Sequence, residues 1–202
     1  MIFTSRCAGC RTRGPELCRT CRFALIARPG PSAPGDVVVA TAYTGRVRDV
    51  LLGFKYQNRR TIGAHVAGIL AGRLGDRADH VDVVTWAPTS PHRRRERGFD
   101  QAELIARGVA AHLGVPCRRL LERQGGGGPQ TGRTRRGRLE GPEFRAHPRT
   151  AGRRVLVIDD VVTTGATLAA ASRSLRLGGA TEVVLAAVAA TPSCLVPSER
   201  VA

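Results

Sequence analysis

Two adjacent carboxylates, Asp159 and Asp160, follow the apolar run Val155-Leu156-Val157-Ile158 and precede Val161-Val162-Thr163-Thr164-Gly165-Ala166-Thr167. Neighbouring carboxylates repel, and holding them at the end of a buried strand costs stability unless something satisfies them. Sugar hydroxyls, a divalent cation or a cationic ligand would do so. The turn that follows offers threonine hydroxyls, backbone N–H groups and the start of a helix, a set suited to a phosphate monoester. It is not a Walker P-loop, because the spacing and the lysine of that loop are missing.

Four cysteines, Cys7, Cys10, Cys18 and Cys21, are spaced as two Cys-x-x-Cys knuckles. Each knuckle can present two thiolates to one ion, and the pair completes a tetrahedron around structural Zn2+. Gly14-Pro15 favours a reversal of the chain between them. So short a segment has no core of its own, and the metal would supply most of its folding free energy. Disulfides are the rival reading, disfavoured in a chain expected to be cytoplasmic. Redox chemistry suits two closely spaced pairs less well than a closed metal site. Cys117 and Cys194 stand alone and read as plain thiols.

The elements that must position these groups alternate. Residues 37–43 read as a strand, 47–56 and 62–74 as helices, and 81–87 as a buried strand stopped by Pro88. Asp100-Gln101-Ala102-Glu103 has capping-box spacing and opens a helix that runs to Gly114. A short strand is expected over 115–121 and a long polar loop over 124–142. Residues 154–158 lack polar alternation, as expected of a parallel strand covered on both faces. A helix over 166–177 and a strand over 181–190 complete the series. Residues 28–36 form a Pro/Gly-rich break after the cysteine module. Such alternation implies an α/β domain with ligands at the carboxyl ends of its strands.

Composition sets the bounds. With 202 residues, 42% of them hydrophobic, the chain can build a core and is not wholly disordered. At 4% aromatics it has little material for base-stacking surfaces. No apolar run is long enough to span a bilayer, and the N-terminus lacks the pattern of a signal peptide, so the chain is expected to be cytoplasmic. The net charge is +16, and Lys55 is the one lysine among 32 basic residues. The excess sits in residues 91–154, where 16 arginines face 6 acidic residues. Compositional drift toward arginine accounts for part of this. The uneven placement favours a polyanionic partner, either nucleic acid or a phosphorylated metabolite.

The stretch from Val155 to Leu168 resembles the phosphoribosyl-pyrophosphate (PRPP) signature of type I phosphoribosyltransferases. The block Arg97-Gly98-Phe99-Asp100-Gln101 resembles the RGFNQ block of the ComF/GntX family, which commonly has Asn at the position of Asp100. The segments 43–56, ending Phe54-Lys55-Tyr56, and 130–138 resemble two further blocks of that family, and the four-cysteine prefix completes the set. The family commonly has Val-Pro-Val-Pro where this chain has Thr85-Trp86-Ala87-Pro88. The resemblance implies a type I phosphoribosyltransferase fold: a parallel sheet flanked by helices, with a hood at 37–75, a core at 81–190 and a flexible loop at 124–142. A zinc module at 1–30 precedes this domain, which spans 37–202.

By the same resemblance, Asp159 and Asp160 would hold the ribose 2- and 3-hydroxyls, and Thr163, Thr164, Gly165, Ala166 and Thr167 would wrap the 5-phosphate. Arg97, with Arg133, Arg135 and Arg136 from a closing loop, would meet the pyrophosphate together with Mg2+. Thr163 stands where 6-oxopurine enzymes have an acidic residue, which favours the layout of orotate, adenine and amido-transferring members.

The activity so implied is Mg2+-dependent transfer of 5-phosphoribosyl from PRPP to a nucleobase or amine nitrogen. The alternatives are a PRPP- or nucleotide-sensing protein, or a DNA-binding component of an uptake (competence) or DNA-processing system. DNA and a second copy of the chain are further candidate partners.

Overall fold

A computed structural model describes residues 6–27, 36–56, 61–124 and 142–192. In chain order the elements are α1 (Arg19–Ile26), β1 (Val38–Ala42), α2 (Gly45–Tyr56), α3 (Thr61–Leu74), β2 (Val83–Trp86), α4 (Pro91–Arg97), α5 (Gln101–Leu113), β3 (Leu121–Arg123), β4 (Phe144–Ala146), β5 (Arg154–Val162), α6 (Ala166–Leu177) and β6 (Glu182–Ala190). Single 3-10 turns occupy Gly75–Ala78 and Pro148–Thr150.

Four strands form one parallel sheet in the order β1-β6-β5-β2, while β3 and β4 pair antiparallel as a separate ribbon. The absence of polar alternation in β5 and β6 follows from burial on both faces. Leu156, Ile158, Val184, Ala186 and Val188 pack with α2, α3, α5 and the cysteine module on one side. Val155, Val157, Val183, Leu185 and Ala187 pack with Leu168, Ala171 and Leu175 of α6 and with Leu120 and Leu121 on the other. The connection β5–α6–β6 lies over the second face, whereas α5, which follows β2, lies over the first. The chain therefore reverses its winding between β2 and β5, the kind of switch point where open α/β sheets bind ligands.

The helix expected after Asp100 forms. The Asp100 side chain accepts the Ala102 N–H at 3.1 Å, and Gly114 ends the helix in the left-handed region at φ 69°. Strand β1 of the segment expected to be a hood pairs with β6 in the main sheet, at Val38–Ala186 and Ala42–Ala190.

Two expectations need correction, and one element is added. Residues 115–121 form no strand. They meet β2 through a parallel bridge from Cys117 to Val84 and through the Leu120 N–H, which donates to Thr85 Oγ1 at 3.2 Å, before Leu121 enters the β3–β4 ribbon. The strand expected over 154–158 runs on to Val162, so both carboxylates lie inside β5, where continued pairing to Ala187 and Ala189 carries the strand past them. Residues 91–97, to which the sequence pattern assigns no element, are a helix. Pro91 sits at its first turn and Ser90 caps it by accepting the Arg93 N–H at 3.4 Å, a start signal that the run of arginines obscured. The loop arginines Arg133, Arg135 and Arg136, most of the 124–142 loop, and Cys194 lie outside the described residues. No helix among the described residues is long and apolar enough to cross a membrane.

Candidate functional site

The carboxyl ends of β2 and β5 open into a cavity of about 360 Å³. Its lining includes Lys55, Arg97, Gln101, Asp159, Asp160 and Thr167, with Asp100, Arg123 and Thr163 also on its wall. A larger cavity, about 600 Å³, runs along the outer side of α6 beside β6, and Gly165 is its one residue from the carboxylate–threonine stretch. The chemistry of the sequence motif lies in the smaller one.

Strand alternation sends consecutive residues to opposite faces. Asp160 thus turns toward the α2 side of the sheet, where Lys55 Nζ meets its Oδ2 at 2.8 Å. Asp159 accepts the Asp160 N–H through Oδ1 at 2.7 Å. Burial, with Asp160 beside it, pushes the Asp159 carboxyl up to about 7, against the opposing pull of that N–H and of Lys55. Asp100, buried at the head of α5, accepts N–H groups from Thr89 at 2.9 Å and from Ala102, and burial raises its carboxyl above the ordinary range despite them. After β5, Gly165 takes φ 77° as the cap of α6, and Thr164 Oγ1 accepts the Ala166 N–H at 3.4 Å. The left-handed conformation is one that glycine adopts freely, and it turns the helix N-terminus toward the end of the strand.

Across the cavity stands Arg97, the last residue of α4. Its Nη1 donates to Gln101 Oε1 at 2.9 Å and its Nη2 to the Tyr56 hydroxyl at 3.2 Å, with the guanidinium 5.1 Å from the centre of the Tyr56 ring. The Arg97 Nε and the Gln101 Nε2 are buried donors without an acceptor among the described residues. Buried donors in that condition cost about 1–3 kcal/mol each, so this wall is set to receive an acceptor-rich ligand. Arg123 donates to the Pro88 carbonyl at 3.3 Å, closing the side of the cavity next to β2.

The structure thus brings Arg97, Asp159, Asp160, Thr163 and Thr167 around one cavity, whereas Thr164, Gly165 and Ala166 do not line it and Gly165 borders the larger cavity instead. Lys55, Gln101 and Arg123 belong to the same wall and were not singled out from sequence. For Lys55 a signal existed in its being the one lysine of the chain. Gln101 had none beyond the resemblance of its block, and Arg123, outside every block, had none.

The four cysteines form a second centre. Their sulfurs all lie within 4.8 Å of one another, Cys10 and Cys18 at 3.6 Å. Sulfurs bound tetrahedrally to zinc at about 2.3 Å stand about 3.8 Å apart, so the set fits that ion. The Thr12 hydroxyl brings the Cys10 thiol down to about 6, whereas burial beside the other thiols pushes Cys21 up to about 12. Four thiolates cannot share so small a space without a cation. The knuckle sits directly on α2. A Cβ at Gly53 would stand 2.7 Å from Ala8 Cβ, and one at Gly9 would stand 2.7 Å from Val50 Cγ2. Cys7, Ala8, Leu17, Cys21 and Leu25 share one core with α2, α3 and α5.

Residues 100–202 match the phosphoribosyl transferase domain family. The chain belongs to it. Competence protein ComFC of Streptococcus pneumoniae (strain ATCC BAA-255 / R6) is 30% identical over 142 residues, which cover 70% of this chain and 62% of the relative. The chain therefore spans less than two thirds of that relative's length. Together with the cysteine cluster, this agrees with the ComF/GntX resemblance read from the sequence blocks. Among solved structures, the purine phosphoribosyltransferase of Pyrococcus horikoshii Ot3 is 20% identical, covering 66% of this chain and 77% of its own, with a TM-score of 0.43. The glutamine PRPP amidotransferase of B. subtilis, complexed with ADP and GMP, is 25% identical, covering 65% of this chain and 26% of its own, with a TM-score of 0.44.

Proposed function

We propose that this phosphoribosyl transferase domain protein binds PRPP and transfers its 5-phosphoribosyl group to a nitrogen nucleophile, a nucleobase or an amine, with release of pyrophosphate. The observation that carries the reading is the placement of Asp159 and Asp160 on a strand end that leads through Thr163, Thr164 and Gly165 into the N-terminus of α6, inside a cavity whose far wall bears Arg97. Asp159 and Asp160 accept hydrogen bonds from the ribose 2- and 3-hydroxyls. The turn at 163–167 offers hydroxyls and helix N-terminal amides to the 5-phosphate. Arg97, whose Nε has no acceptor among the described residues, donates to the pyrophosphate. Arg133, Arg135 and Arg136 supply further charge there from their loop. Mg2+ suits the oxygen donors of Asp159 and Asp160 and, when bound, neutralises charge on the pyrophosphate. The C1–O bond breaks with its electron pair leaving on pyrophosphate, the acceptor lone pair forms the C1–N bond, and the acceptor's proton passes to solvent.

Calorimetry tests the site: PRPP with Mg2+ should bind the native chain and not the Asp159→Asn, Asp160→Asn double variant. Equal binding to both would remove the assignment. A screen of nucleobases and amines for PRPP-dependent pyrophosphate release then names the acceptor.

A second reading has its own support. Arg93, Arg94 and Arg95 lie exposed on α4, and the relative from S. pneumoniae is named a competence protein. On that reading the chain binds DNA, and affinity should fall steeply with salt, because each phosphate neutralised by an arginine releases a counter-ion from the DNA. An affinity indifferent to salt would dispose of it.

A further inference from the structure

In a chain that uses arginine for 31 of its 32 basic residues, the one lysine sits against the carboxylate pair. In a composition so far toward arginine a single lysine stands out, and position 55 favours the more compact ammonium. The ammonium and the carboxylate of Asp160 are 14% and 16% exposed, in a corner bounded by α2 and β5. A forked, planar guanidinium needs more room than a compact point charge does. At 2.8 Å, with most water removed, the attraction is well above that of a surface pair.

The contact uses only one oxygen of Asp160. A carboxylate has two oxygens and about four acceptor sites, so Oδ1 remains for a ligand hydroxyl while Oδ2 holds Lys55. The cavity also has an electrostatic problem to solve. Asp100, Asp159 and Asp160 all line it, yet the proposed ligand is itself a polyanion. A positive charge at the carboxylates is therefore needed before the sugar arrives. The other lining cations stand elsewhere: Arg97 is engaged by Gln101 and Tyr56, Arg123 by the Pro88 carbonyl, and Arg93 is exposed on α4.

We propose that Lys55 is a built-in counter-ion that offsets the charge of the carboxylate pair and holds Asp160 fixed and open to the sugar diol, so that capture of the doubly phosphorylated ribose does not require a divalent cation. The proposal rests on the PRPP reading of the cavity. Lys55 is a positioning residue here, acting through Asp160. It makes the metal redundant at the diol, and the two charges are thermodynamically coupled.

A cycle of lysine against metal tests this. PRPP binding is measured by calorimetry for the native chain and for Lys55→Met, each in magnesium and in chelator. The native chain is expected to bind in both buffers. Lys55→Met is expected to lose at least tenfold in chelator and no more than about threefold in magnesium, a coupling of at least about threefold. Lys55→Arg, which returns the charge, should recover part of the chelator loss, whereas a purely steric role would not be recovered. Should Lys55→Met fail to fold, Lys55→Gln and Lys55→Arg carry the same comparison. Equal losses in the two buffers, or a native chain that binds only with magnesium, overturn the counter-ion role and leave the PRPP reading standing. No PRPP binding by the native chain in either buffer overturns both.

Discussion

Replacing Asp159 with asparagine should make the folded protein more stable while abolishing PRPP binding. Burial and the neighbouring Asp160 hold the Asp159 carboxyl at about 7, against an ordinary 3.8. The folded state therefore binds this proton more tightly than the unfolded chain does. The cost of ionising Asp159 in the fold is absent below about pH 4, grows as pH rises toward 7, and is constant above that. Fully expressed, a shift of that size corresponds to about 4 kcal/mol, and relaxation of Lys55 and entry of water leave about 2. Asparagine removes the charge and keeps an Oδ1 to accept the Asp160 N–H, now at 2.7 Å. For a domain of this size the gain corresponds to a midpoint rise of about 4–8 °C near pH 8, shrinking toward zero near pH 4. Thermal unfolding of both proteins across that range, followed by circular dichroism, measures it. A variant no more stable than the native chain at pH 8, or a gain that does not change with pH, would refute the argument that this carboxylate is held against its own preference.

Asp100→Ala removes the acceptor for both the Ala102 and the Thr89 N–H groups, and should cost about 2 kcal/mol, read from the denaturation midpoint. Asn at 100 keeps one acceptor and should fall between. Metal analysis of the purified chain should find about one zinc per molecule. Cys7→Ser or Cys18→Ser should lose it and unfold the segment around α1 first, seen as early loss of amide protection at Leu17 and Leu25; unchanged protection would count against a metal-built module.

What the sequence disclosed follows from how local each signal is. The carboxylate–threonine stretch, the Asp100 cap with its Gly114 stop, and the paired cysteine knuckles each occupy a short window, and each was legible there. Lys55 and Asp160 are brought together by the packing of α2 on the sheet, and no local pattern encodes that meeting. Tyr56 and Arg97 meet for the same reason. Helix α4 was missed because its exposed arginines give no apolar periodicity, although Ser90-Pro91 marked its start. The continuation of β5 through two aspartates was hidden because charged residues argue against a buried strand, and only the cavity beside them explains their presence.

Helix α2 bears the cysteine knuckle against Gly53 and Val50 along its length, and at its end Lys55 reaches the cavity at the carboxyl ends of β2 and β5 while Tyr56 holds Arg97. A shift of that helix felt at both places would couple them, and such coupling is reciprocal. Stripping the ion from the thiols would slacken the grip on the phosphosugar, and a bound phosphosugar would in turn slow the escape of the ion.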